Sequence, residues 1–434
     1  MKTVFALTLI FAFLHLNNRF AFAQNIAPVA KTYQFTGGRW FDGKTFKRKV
    51  FYSLNGVLTE KRPNKIDETI DLKDGFVVPP FGDAHTHNFD GAFNLTRQIS
   101  SYLGDGVFYA KVQTNTLSGA RAAAKSVNQP TSVDVAYSHG ALTASYGHGV
   151  EVYEGLALLR KPGANTPEEV QKLRASKLRE NDAYYIIDTE QDLETKWRKI
   201  LDGKPDFLKI YLLSTEEYAE RKRRTDTVGD RGLDPRLVPL IVAKARAAGL
   251  RVSAHVDTVT DYRLALAAGV DEMAHLPGYY VGLKDDTAKV LLTEKDARET
   301  ARRKTWIVPA PIFNEYLNAA EREKTDGALR HNLRLLKRAR ARLAFGSDRY
   351  GSTPVDDVFH LAGLGVFNRL EMLKIWSEET PQTIFPNRKI GKLREGYEAN
   401  FLVLEVNPLI DFRAVKNIRW RFKQGFVLEV PNTK

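Results

Sequence analysis

The chain contains no cysteine in its 434 residues, so it forms no disulfide, offers no thiol for a lipid anchor and uses no thiol nucleophile. Beyond its first two dozen residues it has no apolar run long enough to span a bilayer. It is also short of acid: 65 Lys and Arg against 52 Asp and Glu give a formal charge of +13. Basic clusters such as KWRK, RKRR and LKRARAR raise nucleic acid or an anionic surface as partners. In RHNLRLLKRARARL, however, Leu333, Leu336 and Ala339 share one helical face and the charges take the other. The basic surplus therefore reads as a solvated surface, and no nucleic acid is expected as a partner.

What is present is enough apolar matter for a large core. Hydrophobic residues make up 43% of the chain, which suits one large domain of roughly 250 to 300 residues and a smaller one. Residues 1–23 stand apart: Lys2 precedes the apolar run VFALTLIFAFLHL, and Ala21-Phe22-Ala23 supplies an A-x-A site before Gln24. This pattern predicts a signal peptide and a periplasmic or secreted protein, with no stable membrane insertion after cleavage. Without disulfides, stability must come from core size and bound metal.

Residues 24–79 and 385–434 share a style of short β-branched and aromatic runs broken by turns, as in YQFTGG, KVFYSL, NFLVLEVN and GFVLEV. Strands from both ends are expected to build one small β-sandwich. Residues 80–384 differ in kind. Strand-like runs at 78–87, 106–114, 132–140, 205–212, 249–257, 269–276, 304–312 and 341–348 alternate with Ala-, Leu- and Arg-rich helical stretches. Eight buried strands alternating with helices predict an α/β protein built on a (β/α)8 TIM barrel. The polar stretches 214–234 and 313–330 read as loop insertions at strand ends.

The first barrel strand ends in DAHTH, which puts His85 and His87 on one side of a strand. Alone, such a pair is either half of a metal site or two packed histidines. Other residues accumulate at the ends of later strands: His255 in VSAH, His275 in DEMAH and Asp348 in AFGSD. The carboxyl ends of barrel strands are where such a fold carries its chemistry. Asp348 follows a small apolar run and requires a cation or donor there. Lys209, inside the apolar strand DFLKIYL, is either salt-bridged, stretched to the rim, or neutral and able to add carbon dioxide as a carbamate that bridges two cations.

Taken together, His85-x-His87, Lys209, His255, His275 and Asp348 resemble the metal-binding set of the amidohydrolase superfamily. The pieces GFVVPPFGDAHTH, VSAHVDTVTDYRLALAAGVDEMAHL, the strand-8 GSD and IGKLREGYEANFLVLEVNPLIDF resemble the branch of binuclear Xaa-Pro dipeptidases (prolidases) and imidazolonepropionase-like proteins. The resemblance implies that His85, His87 and Asp348 hold one cation and that His255 and His275 hold a second. Carboxylated Lys209 would bridge the two, with zinc as the default metal. It further implies hydrolysis of amide or peptide bonds in small molecules, such as dipeptides, by a hydroxide held between the cations, with Asp348 moving the proton. Asn400 departs from a commoner Asp at a structural position, and ASYGHG replaces a more glycine-rich loop.

Candidates for holding substrate are His148, Tyr211, His139 and Arg349, each with a plainer alternative: a loop hydrogen bond, a packed rim aromatic, an orienting neighbour and a local salt bridge respectively. Asp83 is expected to support the ligands, and His331 and His360 are expected to be structural. The same metal pair could open a lactone or a phosphotriester, and a silent, basic binding protein is the alternative of another class. Either a monomer or a homo-oligomer fits the sequence.

Overall fold

The computed structural model describes residues 31–311 and 317–429; the leader expected at 1–23 lies outside the described residues. The strands are, in order, β1 (Tyr33–Phe41), β2 (Phe46–Leu54), β3 (Val57–Thr59), β4 (Glu68–Asp71), β5 (Phe76–Val78), β6 (Phe81–Thr86), β7 (Val107–Val112), β8 (Asp134–Tyr137) and β9 (Ala141–Thr143). They continue with β10 (Tyr184–Ile186), β11 (Leu208–Tyr211), β12 (Val252–His255), β13 (Glu272–Met273), β14 (Trp306–Ile307), β15 (Arg342–Leu343), β16 (Phe401–Leu404), β17 (Ile418–Lys423) and β18 (Phe426–Val427).

The buried faces of β6, β7 and β8 pair in parallel, and β9, β11, β12, β13, β14 and β15 continue the parallel run. Closure comes where the last strand meets the first: Ala84 N donates to Phe345 O at 2.8 Å and Ser347 N to His85 O at 2.9 Å. Gly346 permits this approach, since a Cβ there would lie 2.6 Å from His85 N. The eight expected barrel strands thus close on themselves, with one difference. The third stave is broken into β8 and β9 because His139 turns left-handed (φ 57°), with Asn115 accepting its N–H. β10 then adds to the outside of β9, a strand that the sequence pattern did not announce.

A second difference concerns 313–330, expected as a loop insertion. Residues Ala319–Arg338 form one continuous helix, started by a reciprocal cap between Asn318 and Glu321. Its Ala, Leu, Glu, Lys and Arg content favours that state, and the charges that suggested a loop are its solvent face.

The barrel floor is polar. Glu272 accepts from Lys111 Nζ (2.8 Å), Gln113 Nε2 (2.8 Å), Ser253 Oγ (3.0 Å) and Thr383 Oγ1 (2.7 Å), all in the buried interior. The ammonium of Lys111 and the guanidinium of Arg251 hold the Glu272 carboxyl down at about 2 against the upward pull of burial. Below the first strand, Phe81 stacks on Trp376 at 3.9 Å, and Trp376 Nε1 donates to Gly82 O at 3.0 Å. These contacts fix the strand that carries His85 and His87.

Strands from both chain ends form a single mixed sheet in the order β18-β17-β16-β5-β1-β2-β3, with β4 beside β1. Leu58 N donates to Tyr397 O and Ala399 N to Gly56 O, each at 2.7 Å, so the sheet curls back around Phe35, Trp40, Phe51, Phe401 and Phe422. Two polar ties join this sheet to the barrel. Lys423, on β17, and Arg388 reach the two oxygens of buried Asp134, on β8, at 2.7 and 2.8 Å. Asn400 Nδ2 donates to Tyr109 OH, on β7, at 2.8 Å, which gives this departure a structural role.

Candidate metal centre

His85 and His87 leave the end of β6 on the same side and converge on Asp348, their Nε2 atoms 3.0 and 2.9 Å from its Oδ1. His275, just beyond β13, brings its Nε2 to 3.6 Å from the other oxygen. The ring of His275 lies 4.7 Å from that of His85 and 4.4 Å from that of His255, which ends β12. Lys209, from the middle of β11, is buried, and its Nζ has no hydrogen-bond partner among the described residues. The structure therefore brings together four imidazoles, one carboxylate and one lysine at the carboxyl-end rim. Among the described residues His85, His87 and Asp348 form a group whose ligand atoms are close enough to share one metal ion.

The hydrogen bonds behind these side chains decide what they can do. His85 Nδ1 lies 2.7 Å from Ala274 O, and His87 Nδ1 lies 3.2 Å from Thr114 O. A carbonyl oxygen only accepts, so each Nδ1 carries the hydrogen and each Nε2 presents a lone pair. Burial pushes the His85 imidazole below its ordinary value, which disfavours a second proton. Lone pairs then face a carboxylate oxygen at about 3 Å with no hydrogen between them, a repulsive contact that a divalent cation resolves. The unpartnered Lys209 Nζ and the unpartnered, buried His275 Nδ1 are further groups awaiting an acceptor or a cation. The donor set fits a metal.

The electrostatics agree with neutral imidazoles around a charged carboxylate. Burial brings His255 down to about 4, despite Asp257, and puts His275 well below the ordinary histidine range, helped by His255. Burial alone would raise Asp348; the His85, His87 and His275 rings lower it only in so far as they carry hydrogen toward it, so beside neutral rings its charge calls for a cation. Burial lowers Lys209 to about 7, with Asp348 and Glu272 resisting, so its amine is half neutral near neutrality. Asp348 sits at a positive φ of 57°, a strained backbone for a residue with a side chain. Asp83 supports it from below. Its carboxylate accepts from Ser347 N and Oγ, Tyr102 OH and His85 N, and so ties the first strand to the last.

The expected substrate contacts separate. His148 is partly exposed, and its ring lies 4.9 Å from His255 and 4.8 Å from Tyr211. Its loop can lie this close because Gly149 is at φ 89° and a Cβ there would already touch the Tyr211 ring at 3.0 Å. Burial pulls the His148 imidazole down, but the Glu151 carboxylate, 3.0 Å from Nδ1, reverses this and raises it. Tyr211 is buried with its hydroxyl 2.7 Å from Thr114 Oγ1. His139 instead stacks on Tyr137 and meets Asn115, apart from the cluster. The Arg349 guanidinium is taken up by Asp357 at 2.7 Å, which favours its salt-bridge role. His331 and His360 bind Leu292 O and Asp326, as structural residues do.

No family model matches the chain. In sequence it is 27% identical to an ochratoxinase from Aspergillus niger over 217 residues, which is 48% of this chain and 44% of that protein. The match thus spans a little under half the length of either. In structure, the ochratoxinase of A. niger superposes with a TM-score of 0.70 at 18% identity, over 94% of this chain and 98% of its own. An amidohydrolase gives 0.67 at 19% over 92% and 100%. A prolidase complexed with N-methylphosphonate-L-proline gives 0.69 at 16% over the same shares.

The chain shares the fold of these proteins. Within this barrel three side chains escaped the sequence reading. Asp257 lies 3.0 Å from His255 Nε2, Tyr279 stacks on His275 at 4.3 Å, and the largely exposed Tyr350 stacks on His87 at 5.0 Å. Asp257 could have been found, because it follows His255 in the same one-apart spacing that singled out His85 and His87. The two tyrosines lie in loops with no period to mark them.

Proposed function

We propose that the chain is a metal-dependent hydrolase of amide or peptide bonds in small molecules. The observation that carries this reading is the contact of two imidazole nitrogens with the Asp348 carboxylate at about 3 Å, beside a buried lysine whose Nζ has no hydrogen-bond partner among the described residues. His85, His87 and Asp348 would hold one divalent cation and His255 and His275 a second, with zinc suited to this nitrogen and oxygen set. Lys209 would bridge them as a carbamate: its neutral amine bonds to the carbon of carbon dioxide and releases one proton to solvent.

When bound, such cations acidify a water and polarise the scissile carbonyl. The remaining work falls to the chain. Asp348, central to the cluster, accepts the proton of the attacking water and returns it to the leaving nitrogen. His148, partly open to the mouth and raised above its ordinary value by Glu151, would donate to the carbonyl oxygen as charge develops there. Tyr211, held by Thr114, forms the wall beneath His148. The fold likeness to a prolidase whose ligand carries L-proline supports dipeptides as the first substrates to try.

The test is a screen of the metal-loaded protein, with bicarbonate present, against dipeptides, N-acyl amino acids, hydantoins and lactones. Turnover of an amide that vanishes in Asp348→Asn is the expected result. Turnover of lactones alone would replace the amide reading, and no turnover with two metals bound would remove it. We further propose export to the periplasm or outside, supported by the composition of residues 1–23; N-terminal sequencing of the mature protein should begin near Gln24. Among the described residues no helix is long and apolar enough to cross a membrane.

A further inference from the structure

Two residues outside the ligand set are built into it. Asp257 Oδ1 lies 3.0 Å from His255 Nε2 and accepts the Tyr279 hydroxyl at 2.8 Å, while the Tyr279 ring stacks on His275 at 4.3 Å and 25°. One carboxylate oxygen therefore touches His255 directly and reaches His275 through a tyrosine. Its backbone is rigid: Asp257 N donates to Asp261, and Asp261 caps the helix Val259–Ala268 and accepts from Ser214 N and Thr215 N. The carboxylate is thus fixed at the junction of β12, its following helix and the loop after β11.

A carboxylate offers only acceptors, so His255 Nε2 must carry the hydrogen of this contact. The nitrogen left to bind a cation is Nδ1. His85 and His87 are fixed the opposite way, with Nδ1 committed to carbonyls and Nε2 turned toward Asp348. The rim therefore uses two tautomers. The one at His255 is set by a charged partner, which raises the electron density of the ligating nitrogen more than a carbonyl does.

We infer that Asp257 and Tyr279 are positioning residues for the second cation: Asp257 fixes His255 as the Nδ1 ligand, and Tyr279 clamps Asp257 and His275 into one unit. This rests on the two-cation reading, and the experiment separates the two. Zinc stoichiometry and affinity are measured by chelator competition for the wild type, Asp257→Ala, Asp257→Asn and Tyr279→Phe. The tautomer of His255 is read by long-range proton–nitrogen NMR on metal-free, histidine-labelled protein.

The wild type should bind two zinc ions and show His255 with hydrogen on Nε2. Asp257→Ala should weaken one zinc by about 10- to 100-fold, leave the other unchanged and scatter the tautomer. Asp257→Asn, whose amide oxygen still accepts, should keep the tautomer with a smaller loss. Tyr279→Phe should weaken the same zinc by less than Asp257→Ala. Two equally tight zinc ions and an unchanged tautomer in Asp257→Ala would overturn the positioning role alone. Fewer than two zinc ions in the wild type would overturn the two-cation reading, and this inference with it.

Discussion

Lys209 should make the metal-free protein less stable than it would be without it. The side chain is buried, and its Nζ meets no hydrogen-bond partner among the described residues. Burial takes it from 10.5 to about 7, with Asp348 and Glu272 opposing. The sign follows from proton counting. Between those values the unfolded chain binds a proton that the folded chain releases, so stability rises with pH across this window and is lowest below it. The depressed value costs the folded state on the order of 4 kcal/mol at pH 7 and on the order of 1.5 kcal/mol at pH 9.5. Lys209→Met keeps the length and removes the charge. In excess chelator, the variant should resist urea better than the wild type at pH 7, by on the order of 2 to 4 kcal/mol, with the gap narrowing by pH 9.5. The same variant should lose a bound metal and most turnover. Urea midpoints followed by tryptophan fluorescence at both pH values decide it. A variant less stable than wild type in chelator, or a gap that ignores pH, would refute the account of Lys209 as a group kept for its chemistry at a cost in stability.

Other outcomes follow from the supporting structure. Glu272→Ala should cost about 3 to 5 kcal/mol by stranding Lys111 in the floor, and adding Lys111→Met should recover much of it, as a double-mutant cycle on urea unfolding will report. Gly346→Ala places a methyl against the His85 backbone and should destabilise by about 1 to 3 kcal/mol while weakening zinc uptake in equilibrium dialysis. Tyr211→Phe should leave zinc content intact and lower kcat by less than about tenfold, because Thr114 already occupies the hydroxyl; a thousandfold loss would give that hydroxyl to the reaction.

The barrel was legible because its strands lie in mostly apolar runs and its helices are periodic, so even short staves such as β13 and β14 stood out between turns. The rim histidines were legible for a related reason: a polar residue ending a buried strand has little to do but bind something. Legibility failed where contacts are made by backbone or across loops. The break in the third stave depends on one left-handed residue, His139, held by Asn115, and no periodicity marks it. The first half of the helix at 319–338, up to residue 330, reads as a loop because its many charges outweigh its cap and its helix formers, whereas the part from Arg330 onward shows its apolar face. Arg349 lies beside Asp348 in sequence and suggests the mouth, and the local salt bridge expected as its alternative is made to Asp357, eight residues on in the first turn of the following helix.

The meeting of Lys423 and Arg388 on Asp134 has a bearing on how the molecule can be dissected. Those cations arrive from the far end of the chain, whereas Asp134 opens the stave that leads to the loop bearing His148. Trimming away the terminal segment would take both cations from Asp134 and uncover the foot of that stave. The terminal sheet is in this sense a footing for the loop that carries His148, and a shortened chain would have to replace both the cover and the cations.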